Sequence, residues 1–88
     1  MSCLYHPFMS VTVLLFAAYA DALGTSSLRL DLDEGATVTQ LVGHLRERAG
    51  AHALPPRPLV AVNERYARAD HPLRAGDTVA IIPPVAGG

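Results

Sequence analysis

The two most apolar segments of the chain lie near its opposite ends, at residues 10–16 and 78–82. Both are rich in β-branched residues, and both carry apolar side chains at successive positions, which is typical of strands in the middle of a sheet. We therefore expect each strand to be buried on both faces. We also expect the two strands to lie side by side at the centre of one sheet.

Two helices are predicted between these strands. A short helix is expected over residues 17–23, ending at Gly24. A longer helix begins after Thr37, which forms a capping box with Gln40. Four apolar residues then recur on one helical face: Val38, Leu41, Val42 and Leu45. Gly43 costs this helix about 1 kcal/mol relative to Ala, a cost that close packing would explain.

Three shorter strands complete the pattern. Residues 28–32 alternate between apolar and polar, residues 59–62 are apolar, and a short strand opens at Tyr66 after a turn at residues 63–65. The order β-(α)-β-α-β-β-β predicts an α+β fold of the β-grasp (ubiquitin-like) type. It has a mixed sheet of about five strands, one main helix and a short extra helix. The alternative, a ferredoxin-like fold, needs a second full helix before the last strand, and no segment there has a helical period.

The length of the chain fits a single domain, and its charge and hydropathy argue against nucleic acid and membranes as partners. We expect residues 9–84 to be the domain, residues 1–8 a disordered or mis-assigned extension, and residues 85–88 a flexible tail. A formal net charge of -1 without a basic run argues against nucleic acid as a partner. The apolar run at residues 11–17 is too short to cross a bilayer, and no basic residue precedes it as in a secretory signal. We expect a cytoplasmic protein that does not bind membranes.

The C-terminal tail is the best candidate for a functional site. Six residues form it: Pro83, Pro84, Val85, Ala86, Gly87 and Gly88. The diproline ends the last strand and favours an extended exit, while the glycines let backbone pass through a narrow channel. Glycines also occur at frayed chain ends, so the tail alone leaves its role open.

Other reactive groups are scattered along the chain. The single cysteine is Cys3, and the four histidines lack the spacing of a metal site: His6, His44, His52 and His71. No phosphate-binding loop, dinucleotide motif or nucleophile elbow occurs. We therefore expect no metal and no bound cofactor, and we take the carboxylate of Gly88 as the reactive group.

Three stretches of the chain resemble the small subunit of molybdopterin synthase, the MoaD type of ubiquitin-like sulfur carrier. They are residues 13–24, residues 61–73 with Asp70-His71-Pro72-Leu73, and residues 76–88 with the ending Pro-Pro-Val-Ala-Gly-Gly. The resemblance implies that an E1-like enzyme uses ATP to adenylate Gly88 and that a sulfur donor protein converts it to a thiocarboxylate. The large synthase subunit, in a heterotetramer, then passes the sulfur to cyclic pyranopterin monophosphate. The chain itself is a non-catalytic subunit and co-substrate.

The resemblance also implies a docking surface beside the tail. Phe16 and Ile82 match apolar family positions there, and Leu15 or Ile81 joins them, while Arg65 and Arg68 fringe the tail and face acidic partners. Other functions remain open. The chain could carry sulfur for cysteine, thiamin or tRNA thiolation, act as a ubiquitin-like protein modifier, or be an interaction domain with an inert tail.

Overall fold

The computed structural model describes residues 8–49, 54–55 and 57–83. These residues form five strands and two helices, joined by turns and loops. In chain order they are β1 (Phe8–Leu15), α1 (Ala17–Leu23), β2 (Ser27–Asp33), α2 (Val38–Ala49), β3 (Leu59–Val62), β4 (Arg65–Ala67) and β5 (Thr78–Ile82). The predicted order is confirmed. β1 begins at Phe8, one residue before the expected domain boundary, because Phe8 pairs with Asp33 of β2. Arg65, expected in a turn, is the first residue of β4.

The strands form one mixed sheet in the order β2-β1-β5-β3-β4. β1 and β5 are parallel neighbours, and the remaining pairs are antiparallel. The two terminal strands therefore lie side by side at the centre, as predicted. The helix α2 packs across one face of this sheet, which gives the β-grasp architecture.

The core lies on that one face only. Alternate residues of the central strands are buried there, including Val13 and Leu15 of β1 and Val79 and Ile81 of β5. On the other face Thr12 is exposed, and the remaining side chains of β1 and β5 are half-buried or exposed. The expectation that both faces are buried is wrong, because α1 and α2 contribute their buried side chains to the same core and none to the opposite face.

The helix α2 forms where its predicted signals place it. Its four-residue apolar stripe is buried, and the backbone N–H of Thr37 donates to Oε1 of Gln40 at 2.9 Å, one half of the predicted capping box. Gly43 is exposed, and a Cβ built on it would meet no atom within 4 Å. Close packing therefore does not explain this glycine. The expected end of the helix, Gly50, lies outside the described residues.

Candidate functional site

The strand β5 connects the core directly to the C-terminal tail. It pairs with β1 on one side and with β3 on the other, so the tail is attached to the centre of the sheet. Ile81 is fully buried, Ile82 and Pro83 are half-buried, and β5 ends at Ile82. Residues 84–88 lie outside the described residues, so the roles of Pro84, Val85, Ala86, Gly87 and Gly88 stay predictions.

Beside this exit, the open face of the sheet carries a group of apolar side chains that we name the apolar patch. Five of its six members come from β1, β3, β4 and β5, and Phe16 directly follows β1; the six are Leu14, Phe16, Leu59, Tyr66, Ala80 and Ile82. Phe16 is 47% exposed, Leu59 50% and Tyr66 74%. Contiguous exposed apolar surface of this kind marks an interaction site more often than isolated exposed residues do.

The strand register explains why these residues lie together. Leu14 is opposite Ala80 across β1 and β5, and Leu59 is opposite Ile82 across β3 and β5. The register of β1 and β5 ends with Leu15 opposite Ile81, and Phe16 and Ile82 are the residues that follow these two, with Phe16 still in extended conformation. The apolar patch therefore lies at the end of β5 from which the tail leaves.

The other half of the same open face is polar. Ser10 donates a hydrogen bond from its hydroxyl to Oδ1 of Asp31 at 2.6 Å. Thr12 lies opposite Arg29 in the register of β1 and β2, and both are exposed. The exception is Phe8, which is 63% exposed and lies at the end of β1 far from the tail. The exposed apolar side chains of the open face are thus concentrated in the half beside the tail.

Two of the predicted contact residues belong to the core instead. Leu15 and Ile81 are 1% and 0% exposed and face α2, because strand alternation turns them away from the apolar patch. They have no surface to offer a partner in this fold. Phe16 and Ile82 lie on the open face at the end of β5 that leads to the tail, and their contact with a partner stays a prediction.

The two predicted arginines lie in different places. Arg68 directly follows Ala67, which pairs with Val60 near the tail end of β3. Arg68 is exposed, with its Nε 3.8 Å from Oδ1 of Asp70. Arg65 pairs with Val62, near the start of β5 and on the helix side of the sheet. The prediction that Arg65 fringes the tail exit is therefore wrong.

Sequence reasoning missed Leu14, Leu59, Tyr66 and Ala80 as members of the apolar patch. Their positions depend on pairing between strands that are far apart in the chain, and no local pattern encodes that register. The apolar run at residues 59–62 showed a strand. It did not show which of its side chains face away from the helix.

Three kinds of functional feature are absent from the described residues: a metal-binding cluster, a buried polar side chain and a membrane-spanning helix. Among residues 8–49, 54–55 and 57–83, no three His, Cys, Asp or Glu side chains come close enough to hold a metal ion. No described polar or charged side chain is buried. Neither described helix has the length and apolar character needed to span a membrane. His6, His52 and Cys3 lie outside the described residues.

The chain is similar to known proteins over almost its whole length. The model of the ThiS family matches residues 13–88. The molybdopterin synthase sulfur carrier subunit of Escherichia coli is 37% identical over 81 residues, which cover 89% of this chain and 99% of the relative.

Two solved structures resemble the fold closely. One is a Pyrococcus furiosus protein described as molybdopterin converting factor, subunit 1. It has a TM-score of 0.76 at 28% identity, covering 88% of this chain and 99% of that one. The other is small archaeal modifier protein 1 of Haloferax volcanii, with a TM-score of 0.75 at 28% identity and the same two coverages.

Proposed function

The chain belongs to the ThiS family, and on that premise we propose that it is the sulfur carrier subunit of a molybdopterin synthase, working in the cytoplasm. The observation that carries this proposal is the 37% identity to the E. coli sulfur carrier subunit over 99% of that relative's length. The position of the tail supports it. A carrier must present its C-terminus to other enzymes, and here a central strand leads to the tail beside an apolar surface.

The reactive group in this proposal is the carboxylate of Gly88. A carboxylate is a poor electrophile, so an E1-like enzyme first joins it to the α-phosphate of ATP, with pyrophosphate leaving. Sulfide released by a donor protein then attacks the acyl carbon and AMP leaves, which gives the thiocarboxylate with no change of oxidation state in this step. Glycine suits this step because it has no side chain to crowd the acyl carbon. ATP is bound by the activating enzyme, and the chain needs no cofactor of its own.

The large synthase subunit is the proposed receiving partner. It takes in the tail and supplies the side chains that transfer sulfur to cyclic pyranopterin monophosphate, within a heterotetramer. The apolar patch is the proposed contact surface, because docking would bury Phe16, Leu59 and Tyr66 while holding the start of the tail in place. Arg68, at the rim, would meet acidic residues of the partner.

Intact mass spectrometry tests the chemistry directly. The full chain is incubated with ATP, an E1-like enzyme and a sulfur source, and we expect one oxygen-to-sulfur exchange at Gly88. Deletion of Gly88 should abolish the exchange, whereas the control Gly43→Ala, on the exposed side of α2, should leave it unchanged. Sulfur acceptance by the Gly88-deleted chain would refute the assigned site.

Two substitutions on the same sheet face test the docking surface. Leu59→Asp places a charge in the apolar patch, and Thr12→Asp places the same charge on the polar half. Disruption of a central apolar contact costs about 2 kcal/mol or more, so Leu59→Asp should weaken binding to the large subunit about 30-fold. Thr12→Asp should change binding less than threefold. Equal effects of the two substitutions would exclude the apolar patch as the contact.

A carrier for another pathway is distinguished by the acceptor. The thiocarboxylated chain is mixed with the large subunit and the pterin precursor, and the dithiolene product is measured. Formation of product supports the proposal. A stable thiocarboxylate that transfers no sulfur under these conditions would instead indicate cysteine, thiamin or tRNA thiolation.

Protein modification is the second candidate function. It is favoured by the similarity to small archaeal modifier protein 1, whose name describes a modifier. Such a function would join Gly88 to lysine amines of other proteins. Mass spectrometry of peptides from cells that express the chain would then show C-terminal remnants of the chain on lysines, and these remnants would disappear with the Gly88 deletion.

A further inference from the structure

A concave site lies beside β4, the strand at the edge of the sheet. It is a groove of about 510 Å³ between β4 and the loop of residues 68–77. Val62 and Ala67 contribute an apolar floor, and Arg65, His71 and Arg74 line the groove with Asp77. Its volume falls in the range of about 300–1,000 Å³ that is typical of small-ligand sites.

The backbone around this groove is fixed by hydrogen bonds. Asn63 and Thr78 exchange two of them: the backbone N–H of Asn63 donates to the carbonyl of Thr78 at 2.8 Å, and the N–H of Thr78 donates to Oδ1 of Asn63 at 3.0 Å. The two-residue turn at Asn63 and Glu64 places Arg65 opposite Val62, on the helix side of the sheet. The position of Arg65 is therefore set by strand register.

The carboxylate of Asp77 is already occupied by neighbours. Its Oδ1 accepts from Nδ2 of Asn63 at 2.9 Å, and its Oδ2 accepts from the backbone N–H of Arg74 at 2.8 Å. Within the described ranges the side chains of Arg65 and Arg74 form no ion pair, in contrast to Arg68 beside Asp70. Two guanidinium groups thus line one groove, and neither is paired with a carboxylate of the described residues.

We propose that this groove binds a small anion that carries a phosphate group. Arginine presents several N–H donors in a plane that matches phosphate oxygens, and such charge-assisted hydrogen bonds are among the stronger ones in proteins. The imidazole of His71 is a further donor, and the apolar floor can accommodate the rest of a phosphate ester. A single small concavity suits such a ligand better than a long acidic segment of a protein.

The groove is separate from the tail and extends the function beyond sulfur transfer. Val62 in the groove pairs with Val79 of β5. Val79 lies three residues before Ile82, where β5 ends, so about 10 Å of strand separate the groove from the start of the tail. Val62 and Ala67 line the groove from the helix side of the sheet, and Tyr66 is the one residue of the apolar patch that also lines it.

Titration of the ¹⁵N-labelled full chain with inorganic phosphate and pyrophosphate, at constant ionic strength, tests the proposal by NMR. We expect saturable shifts at the amides of Arg65, His71 and Arg74, with a dissociation constant on the order of 1 mM. Arg65→Gln and Arg74→Gln should each weaken binding about tenfold, the value of one lost charge-assisted hydrogen bond.

The matched control is Arg48→Gln, which removes an equal charge from the exposed surface of α2. It should leave the dissociation constant within twofold. Shifts that never saturate, or equal weakening by all three substitutions, would mean that the anions only screen the net charge, and the proposal would fail. Saturation by a glutamate-rich peptide but by neither anion would overturn it in favour of a protein partner. Sulfur acceptance at Gly88, measured separately, would be unaffected by either result.

Discussion

Replacement of Gly43 by Ala should stabilise the protein. Gly43 lies in the interior of α2, where glycine is less favourable than alanine by about 0.8–1 kcal/mol, because it loses more backbone freedom on folding. It is exposed, and an added Cβ would meet nothing within 4 Å, so no clash offsets the gain. The full difference should therefore appear as an increase in the free energy of unfolding.

The corresponding change in melting temperature follows from the size of the chain. Unfolding releases about 2.1 cal/mol/K of entropy per residue, or roughly 0.18 kcal/mol/K for 88 residues. A gain of about 0.9 kcal/mol then raises Tm by about 5 °C. Urea denaturation followed by circular dichroism gives the free energy, and a thermal scan gives Tm.

Gly24→Ala is the matched control for this argument. A Cβ at Gly24 also meets nothing within 4 Å, but Gly24 has a φ of +76° as the residue that ends α1. Alanine there should destabilise by about 1 kcal/mol, because the left-handed conformation is unfavourable for a residue with a Cβ. If Gly43→Ala lowered stability, or if both substitutions had the same sign, backbone conformation would not be what distinguishes these glycines.

Two further predictions concern β5 and the β3–β4 turn. Ile81→Ala should lower the free energy of unfolding by about 3–4 kcal/mol because Ile81 is fully buried. Half-buried Ile82→Ala should cost less than about 1.5 kcal/mol, and similar losses in urea denaturation would contradict the assignment of Ile82 to the open face. Glu64→Gly should stabilise by about 0.5–1 kcal/mol, because Glu64 has a φ of +72°. A lower Tm for this variant would show that the Glu64 side chain makes a favourable contact.

Local signals predicted much of the fold correctly. The bounds of α1, β3 and β5 agree with the structure because each has a clear stop or composition, such as Gly24 after α1 and Pro83 after β5. The central position of β1 and β5 followed from their apolar content. The sequence could not predict that the sheet face opposite α2 is left open. Apolar residues at successive strand positions do not reveal whether the same chain or a partner covers each face of the sheet.

The chemistry of the candidate site stays a prediction, and its geometry was predictable only in part. The terminal glycines indicated Gly88 as the reactive group, and Phe16 and Ile82 lie at the end of β5 that leads to the tail. Leu15 and Ile81 were assigned wrongly because a shift of one residue along a strand reverses the face. Arg65 was misplaced for a related reason. The turn at Asn63 and Glu64 makes β4 run back toward the tail end of the sheet, so Arg65 lies at the end of β4 far from the tail and Arg68 lies just beyond the end near it.

The strand β5 serves stability and function through residues that alternate. Val79 and Ile81 hold the core, whereas Ala80 and Ile82 belong to the open face and the apolar patch, and the residues beyond Pro83 are proposed to carry the chemistry. Substitutions at 79 and 81 should therefore change stability most, and those at 80 and 82 should change partner affinity with a smaller loss of stability. Because the same strand is central in the sheet, docking against its open face also fixes where the tail starts. A partner that buries the apolar patch thus limits the positions that the Gly88 carboxylate can reach.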